Sequence, residues 1–245
     1  MLTRIVWVAA ITLATMTPHP ALGLKTAAMK LPPGFAEQAQ RLPVSGYGGA
    51  NRGRFTVAEF RGEFTRIESR LGVFDPLFVS NHGSASYSMQ GAEPGGAVGA
   101  ECRFRQKVVT VGIVTFDPKK FVYDCELTSG GAMLPGRLAL GEPKKEGFKQ
   151  KFLAYATRRG EAEIGNMRIG IESVHEYAGT RLKAPTPVGY LLTLDGETVG
   201  ALELTDVNPV VYLAGGLAEA ERLSVLRAAI AVSLLRDPAD STLGD

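Results

Sequence analysis

The side chains suited to chemistry in this sequence are few. His82 sits in the run SNHGSAS beside Ser80, Ser84 and Ser86. A hydroxyl and an imidazole are the parts of a nucleophile and its general base, so a secreted hydrolase using His82 and Ser84 is one expectation. Neighbours in sequence seldom supply the geometry of a triad, and a polar loop is the simpler reading. His175 precedes Glu176, but adjacent residues of a strand point to opposite faces, so these two are not expected to act together. There is no histidine pair at i, i+4 and no HExxH, and a zinc site lacks its usual spacing. No nucleophile elbow, P-loop or dinucleotide fingerprint occurs, and Gly46, Gly48 and Gly49 read as loop glycines. The expectation is therefore a chain with no catalytic, cofactor-binding or metal-ligating residue.

Cys102 and Cys125 are the only cysteines. Without a C-x-x-C spacing they read as a structural disulfide rather than a redox pair. Such a bridge is worth on the order of 3 kcal/mol on the chain-entropy account and calls for an oxidising compartment. The N-terminus agrees. Arg4 is followed by the apolar run Ile5–Met16, then by Pro18, Pro20 and the small-residue stretch Ala21-Leu22-Gly23. That is the layout of a cleavable secretory signal over residues 1–23. The apolar run falls short of the ~20 residues that a bilayer span needs. The mature chain is expected to begin near Leu24, with a flexible arm over 24–53, a single domain over 54–238 and a tail over 239–245. The expected location is periplasmic or extracellular, with no membrane span in the mature chain.

The formal net charge of +2 hides a gradient. Residues 24–160 hold 20 basic and 12 acidic side chains, whereas residues 161–245 hold 6 and 13. Either the two halves neutralise each other within one fold, which is the simpler reading, or one face is basic and meets an anionic lipid or other polyanion. No basic stripe interleaved with aromatics occurs, and no nucleic-acid partner is expected.

Most of the mature chain reads as strands. Arg54–Val79 and Ser84–Gln90 alternate apolar and polar residues between Gly and Pro punctuation. Lys107–Phe116, rich in β-branched residues, is followed by Asp117-Pro118 and a second run holding Cys125, which predicts a hairpin turning at Asp-Pro. Phe148–Arg159 and Met167–Tyr177 are further strand candidates. The clearest local signal is Asp195-Gly196 between two apolar runs, which predicts a type I′ hairpin over Val188–Leu204. The chain then changes character: Leu217–Asp237 contains no Gly or Pro, carries Glu219 and Glu221 in its first turn and Arg236 in its last, and precedes Pro238. This predicts a helix. Between Leu223 and Leu235 only Ser224, Arg227 and Ser233 are polar, and a helix apolar nearly all round must be buried.

Antiparallel strands ending in a hydrophobic C-terminal helix resemble the tubby-like layout of the phospholipid scramblase and LURP-one families, over about Phe55–Pro238. The resemblance implies a closed β-barrel surrounding the helix. It carries no family motif, so it transfers no functional residue. A competing layout, a curved sheet closed by a helical lid as in START-like ligand binders, would call for an amphipathic helix. The fold class expected is therefore mainly β: antiparallel strands forming a barrel or curved sheet around a buried hydrophobic C-terminal helix. The function expected is an exported envelope protein that binds a lipid or a partner protein without catalysis. The hydrolase and a structural subunit of an envelope assembly are the alternatives.

Overall fold

Asp195 and Gly196 both take positive φ, 52° and 88°, as a type I′ turn demands. They join β10 (Gly189–Leu194) to β11 (Glu197–Glu203) in the expected hairpin, with one register shift after Leu192. The same alternation builds the rest of the sheet in this computed structural model, which describes residues 27–73, 78–91, 96–111, 114–129, 132–143 and 155–238. The remaining strands are β1 (Gln40–Pro43), β2 (Arg52–Val57), β3 (Phe60–Val73), β4 (Phe78–Gln90), β5 (Val98–Val111), β6 (Val114–Ser129), β7 (Ala132–Gly141), β8 (Arg159–Ile164), β9 (Met167–Val174) and β12 (Val210–Leu213). Together they form one 12-stranded antiparallel sheet in which β2 to β12 each pair with their sequence neighbours and β1 pairs with β12. Just past β1, Ser45 exchanges two backbone hydrogen bonds of 2.9 Å with Thr56 of β2. This single bridge brings the two edges of the sheet together, so that the barrel is nearly closed.

The barrel is filled by helix α2 (Glu219–Ser233), whose residues from Ser224 to Ser233 are all buried. The wall grips it through tyrosines. Tyr87 Oη donates to the carbonyl of Arg227 at 3.0 Å, Tyr123 Oη to that of Ala231 at 2.7 Å, and Tyr47 Oη pairs with Ser233 Oγ at 3.0 Å. Burial raises the pKa of all three phenols, so they stay neutral and able to donate. At the helix start, Arg222 meets Glu59 of the β2–β3 turn through two hydrogen bonds, and Glu221 accepts from the Ala218 N–H. The short helix α1 (Phe35–Gln38) precedes β1.

Three expectations change. The segment expected as a flexible arm supplies β1 and buries Leu42, Val44 and Tyr47, because the barrel cannot close without a partner for β12. Met29 is also buried, and its N–H bonds Glu203 at 2.8 Å. Helix α2 stops at Ser233, so Arg236 lies beyond its last turn and donates to the Gly49 carbonyl instead. The hairpin expected to turn at Asp117-Pro118 turns earlier: Val111 pairs with Val114, and Asp-Pro lies inside β6 where the register shifts. Proline is tolerated in a strand at such irregularities. Cys102 accordingly sits in the first arm of this hairpin. The strand expected over Phe148–Arg159 lies outside the described residues up to 154, and Tyr155–Arg158 is irregular, with β8 starting at Arg159. The signal at 1–23 and the tail at 239–245 also fall outside the described residues.

Cys102 and Cys125 are direct partners across β5 and β6, both buried, with their sulfurs 2.09 Å apart. The pairing is local in space because the two strands form one hairpin. The charge gradient is partly cancelled by contacts between the halves, including Lys30 with Glu176, Glu59 with Arg222, Arg158 with Asp237 and Arg159 with Glu172. Arg103, Arg105 and Lys107 of β5 and Lys120 of β6 are exposed and join no ion pair among the described residues. They form a basic stripe on the outer wall. Among the described residues, no helix is long and apolar enough to cross a membrane.

Candidate functional site: the mouth of the barrel

At the end where α2 finishes, the barrel opens into a cavity of about 670 Å³. That size falls in the ~300–1,000 Å³ range of small-molecule sites. Its walls are mixed: Leu204, Val207, Pro209, Val232 and Leu235 supply apolar surface, and Tyr47, Tyr190, Arg66 and Arg236 supply polar groups. The loop from β11 to β12 and the residues just past the helix thus frame the opening.

Arg66 of β3 is only 8% exposed. In its strand it occupies an inward position, two residues after Phe64, where alternation calls for an apolar side chain. Its Nε donates to the Ala50 carbonyl at 2.8 Å, and its guanidinium carbon lies 5.5 Å from the ring centroids of both Tyr47 and Phe64. The aromatic rings favour the cation there. Burial, and next the charge of Arg236, lower its pKa, and both arginines bond the same stretch of chain, residues 49–51. Arg236 donates to the Gly49 carbonyl at 2.6 Å and to Asn51 Oδ1 at 3.1 Å, while its buried Nε has no partner. Neither arginine joins an ion pair among the described residues. Three carboxylates also line the cavity. Asp237 is taken bidentately by Arg158, at 2.8 and 2.7 Å, Asp206 accepts the Asn208 N–H, and Glu68 lies outside ion-pair distance of both arginines.

Beside this opening the helix end is fastened by a buried ionic cluster. Arg158 is 1% exposed, holds Asp237 with two hydrogen bonds and Glu142 with a third at 3.1 Å, and stacks 4.2 Å above the centroid of Phe121. This cluster ties the residue just beyond α2 to the wall and to the segment leading into β8.

The residues singled out from sequence lie elsewhere. His82 and Ser84 are exposed on the outer face of β4, and His82 makes no hydrogen bond to Ser80, Ser84 or Ser86 among the described residues. His175 pairs instead with a serine that the sequence did not suggest: its Nε2 lies 3.1 Å from Ser173 Oγ, and its Nδ1 lies 3.0 Å from the Ala184 carbonyl. Desolvation, ahead of nearby cations, lowers the His175 pKa. Ser173 Oγ also accepts the Arg158 N–H at 2.9 Å, so this trio fastens the loop after β9 to the approach to β8. The imidazole is oriented by a carbonyl where a catalytic histidine would be oriented by a carboxylate. Among the described residues no group of three or more His, Cys, Asp or Glu side chains could hold a metal ion.

Fold and mouth together define a helix-filled antiparallel barrel with an amphiphilic cavity at one end. No family model matches the chain, and neither the curated proteins nor the solved structures provide a match.

Proposed function

We propose that this protein is exported to the cell envelope and binds an amphiphilic lipid in the cavity at the barrel mouth, without catalysing a reaction on it. The observation that carries this reading is the make-up of that cavity, whose lining combines Val207, Pro209, Val232 and Leu235 with Arg66 and Arg236, two arginines that join no ion pair among the described residues. A lipid offers the same combination of an apolar tail and a polar head. The basic stripe of Arg103, Arg105, Lys107 and Lys120 gives the outer wall an affinity for anionic surfaces, worth about 1 kcal/mol for each side chain that reaches a charged leaflet. Export is supported by the signal layout at the N-terminus and by the paired cysteines.

Native mass spectrometry with lipid extraction, on protein purified from the periplasm of an expressing bacterium, tests the reading. The expected result is a mature mass beginning near Leu24, two hydrogens short, with a lipid that co-purifies. A chain retaining residues 1–23 would remove the export claim, and a clean mature mass that takes up no added amphiphile would remove the lipid claim.

A further inference from the structure

We infer that the cavity at the barrel mouth selects ligands carrying a phosphate or carboxylate group, which Arg66 and Arg236 clamp between them. This inference rests on the lipid-binding reading and names the chemical class that the site takes.

Burying a cation without a counter-charge is costly, and buried arginines are ordinarily paired. Arg158, the most buried arginine, has Asp237 and Glu142, whereas Arg227, buried inside the barrel, has the Thr128 carbonyl and joins no ion pair among the described residues. Arg66 is also buried, its side-chain hydrogen bond goes to a neutral carbonyl, and the strongest charge acting on it is that of Arg236, ahead of the opposing influences of Tyr47 and Glu68. The C-terminal end of α2 carries about half a negative charge, which offsets at most part of one guanidinium. Neither Arg66 nor Arg236 has a carboxylate within ion-pair distance among the described residues, so an anionic ligand would find both guanidinium groups without a close counter-charge. Guanidinium groups match the oxygens of phosphates and carboxylates with paired N–H donors. The carbonyls of Ala50 and Gly49 hold the two arginines through Arg66 Nε and an Arg236 terminal nitrogen, so the clamp is oriented before a ligand arrives. The apolar residues of the same lining offer a place for a ligand's tail beside its head.

The test is isothermal titration of the mature protein with dodecyl phosphate, octyl glucoside and inorganic phosphate, repeated on Arg236→Gln and Arg66→Gln. Arg236→Gln is the primary variant because its side chain lies at the rim. Thermal unfolding of each variant establishes that it is folded before it is titrated. The expected result is that dodecyl phosphate binds at least tenfold more tightly than octyl glucoside and than inorganic phosphate. Arg236→Gln should weaken dodecyl phosphate at least tenfold and leave octyl glucoside unchanged. Equal binding of the charged and neutral amphiphiles, or unchanged dodecyl phosphate binding in a folded Arg236→Gln protein, overturns the clamp and leaves the lipid reading standing. Inorganic phosphate binding as tightly as dodecyl phosphate keeps the anion site and removes the lipid. If none of the three binds, both readings fall.

Discussion

Ala229→Glu should prevent the barrel from forming a stable structure, with a loss on the order of 4 kcal/mol or more. Ala229 lies in the second half of α2, within its buried stretch from Ser224 to Ser233, and is fully buried in the core cluster. A glutamate there must both displace neighbours and carry a carboxylate into an apolar interior, two of the mechanisms that give the largest single-site losses. The expectation is specific to an enclosed helix. Were α2 a lid with one face in water, a turn of rotation would bring the new side chain into solvent and the cost would be small. Urea unfolding followed by far-ultraviolet circular dichroism measures it, with Glu219→Ala on the exposed first turn as a control expected to stay within about 0.5 kcal/mol. A loss under about 1 kcal/mol for Ala229→Glu would show that the helix is not enclosed.

The second large effect is expected at the ionic cluster. Asp237→Leu should cost about 3–5 kcal/mol, because it leaves Arg158, 1% exposed, with Glu142 as its remaining counter-charge. The penalty belongs to the orphaned cation and only in small part to the lost attraction. Pairing Asp237→Leu with Arg158→Met should therefore recover most of it, since apolar replacements of a buried ion pair are often close to neutral. A double variant as unstable as the single one would mean that the cluster is needed for its geometry, for instance to fix the chain where it leaves α2.

The β class and the central helix were legible because both follow from local pattern. Asp195-Gly196 dictates its own turn, and a helix with polar residues only at Ser224, Arg227 and Ser233 between Leu223 and Leu235 has nowhere to go but an interior. What sequence did not reveal depends on contacts distant along the chain. Residues 40–45 lie between β12 and β2, and nothing in QRLPVS announces a partner strand, β12, more than a hundred residues away. Asp117-Pro118 does not form the turn because it falls in β6 at the irregularity where the β5–β6 register shifts twice, between Arg105 and Val109, which local turn chemistry does not announce.

The site was less legible than the fold. The chemistry-bearing residues that attracted attention, His82 and Ser84, point outward without partners among the described residues. Arg66 did leave a signal, since it interrupts an inward apolar row begun by Phe60 and Phe64, and a charge in that phase marks an unusual buried group. Arg236 left none, because its place next to a helix end has an ordinary explanation in the macrodipole. Only the tertiary structure brings the two together, from positions 170 residues apart.

The most direct test of the central claim, that the mouth of the barrel holds the tail of an amphiphile, is photo-crosslinking. The mature protein would be irradiated with a dodecyl phosphate analogue bearing a diazirine on its tail, then digested and sequenced by mass spectrometry. The account predicts labels on peptides containing Val207 and Pro209 or Val232 and Leu235, removed by excess unlabelled dodecyl phosphate. Labels confined to the outer faces of β8 and β9, or labels that excess ligand does not remove, would contradict it.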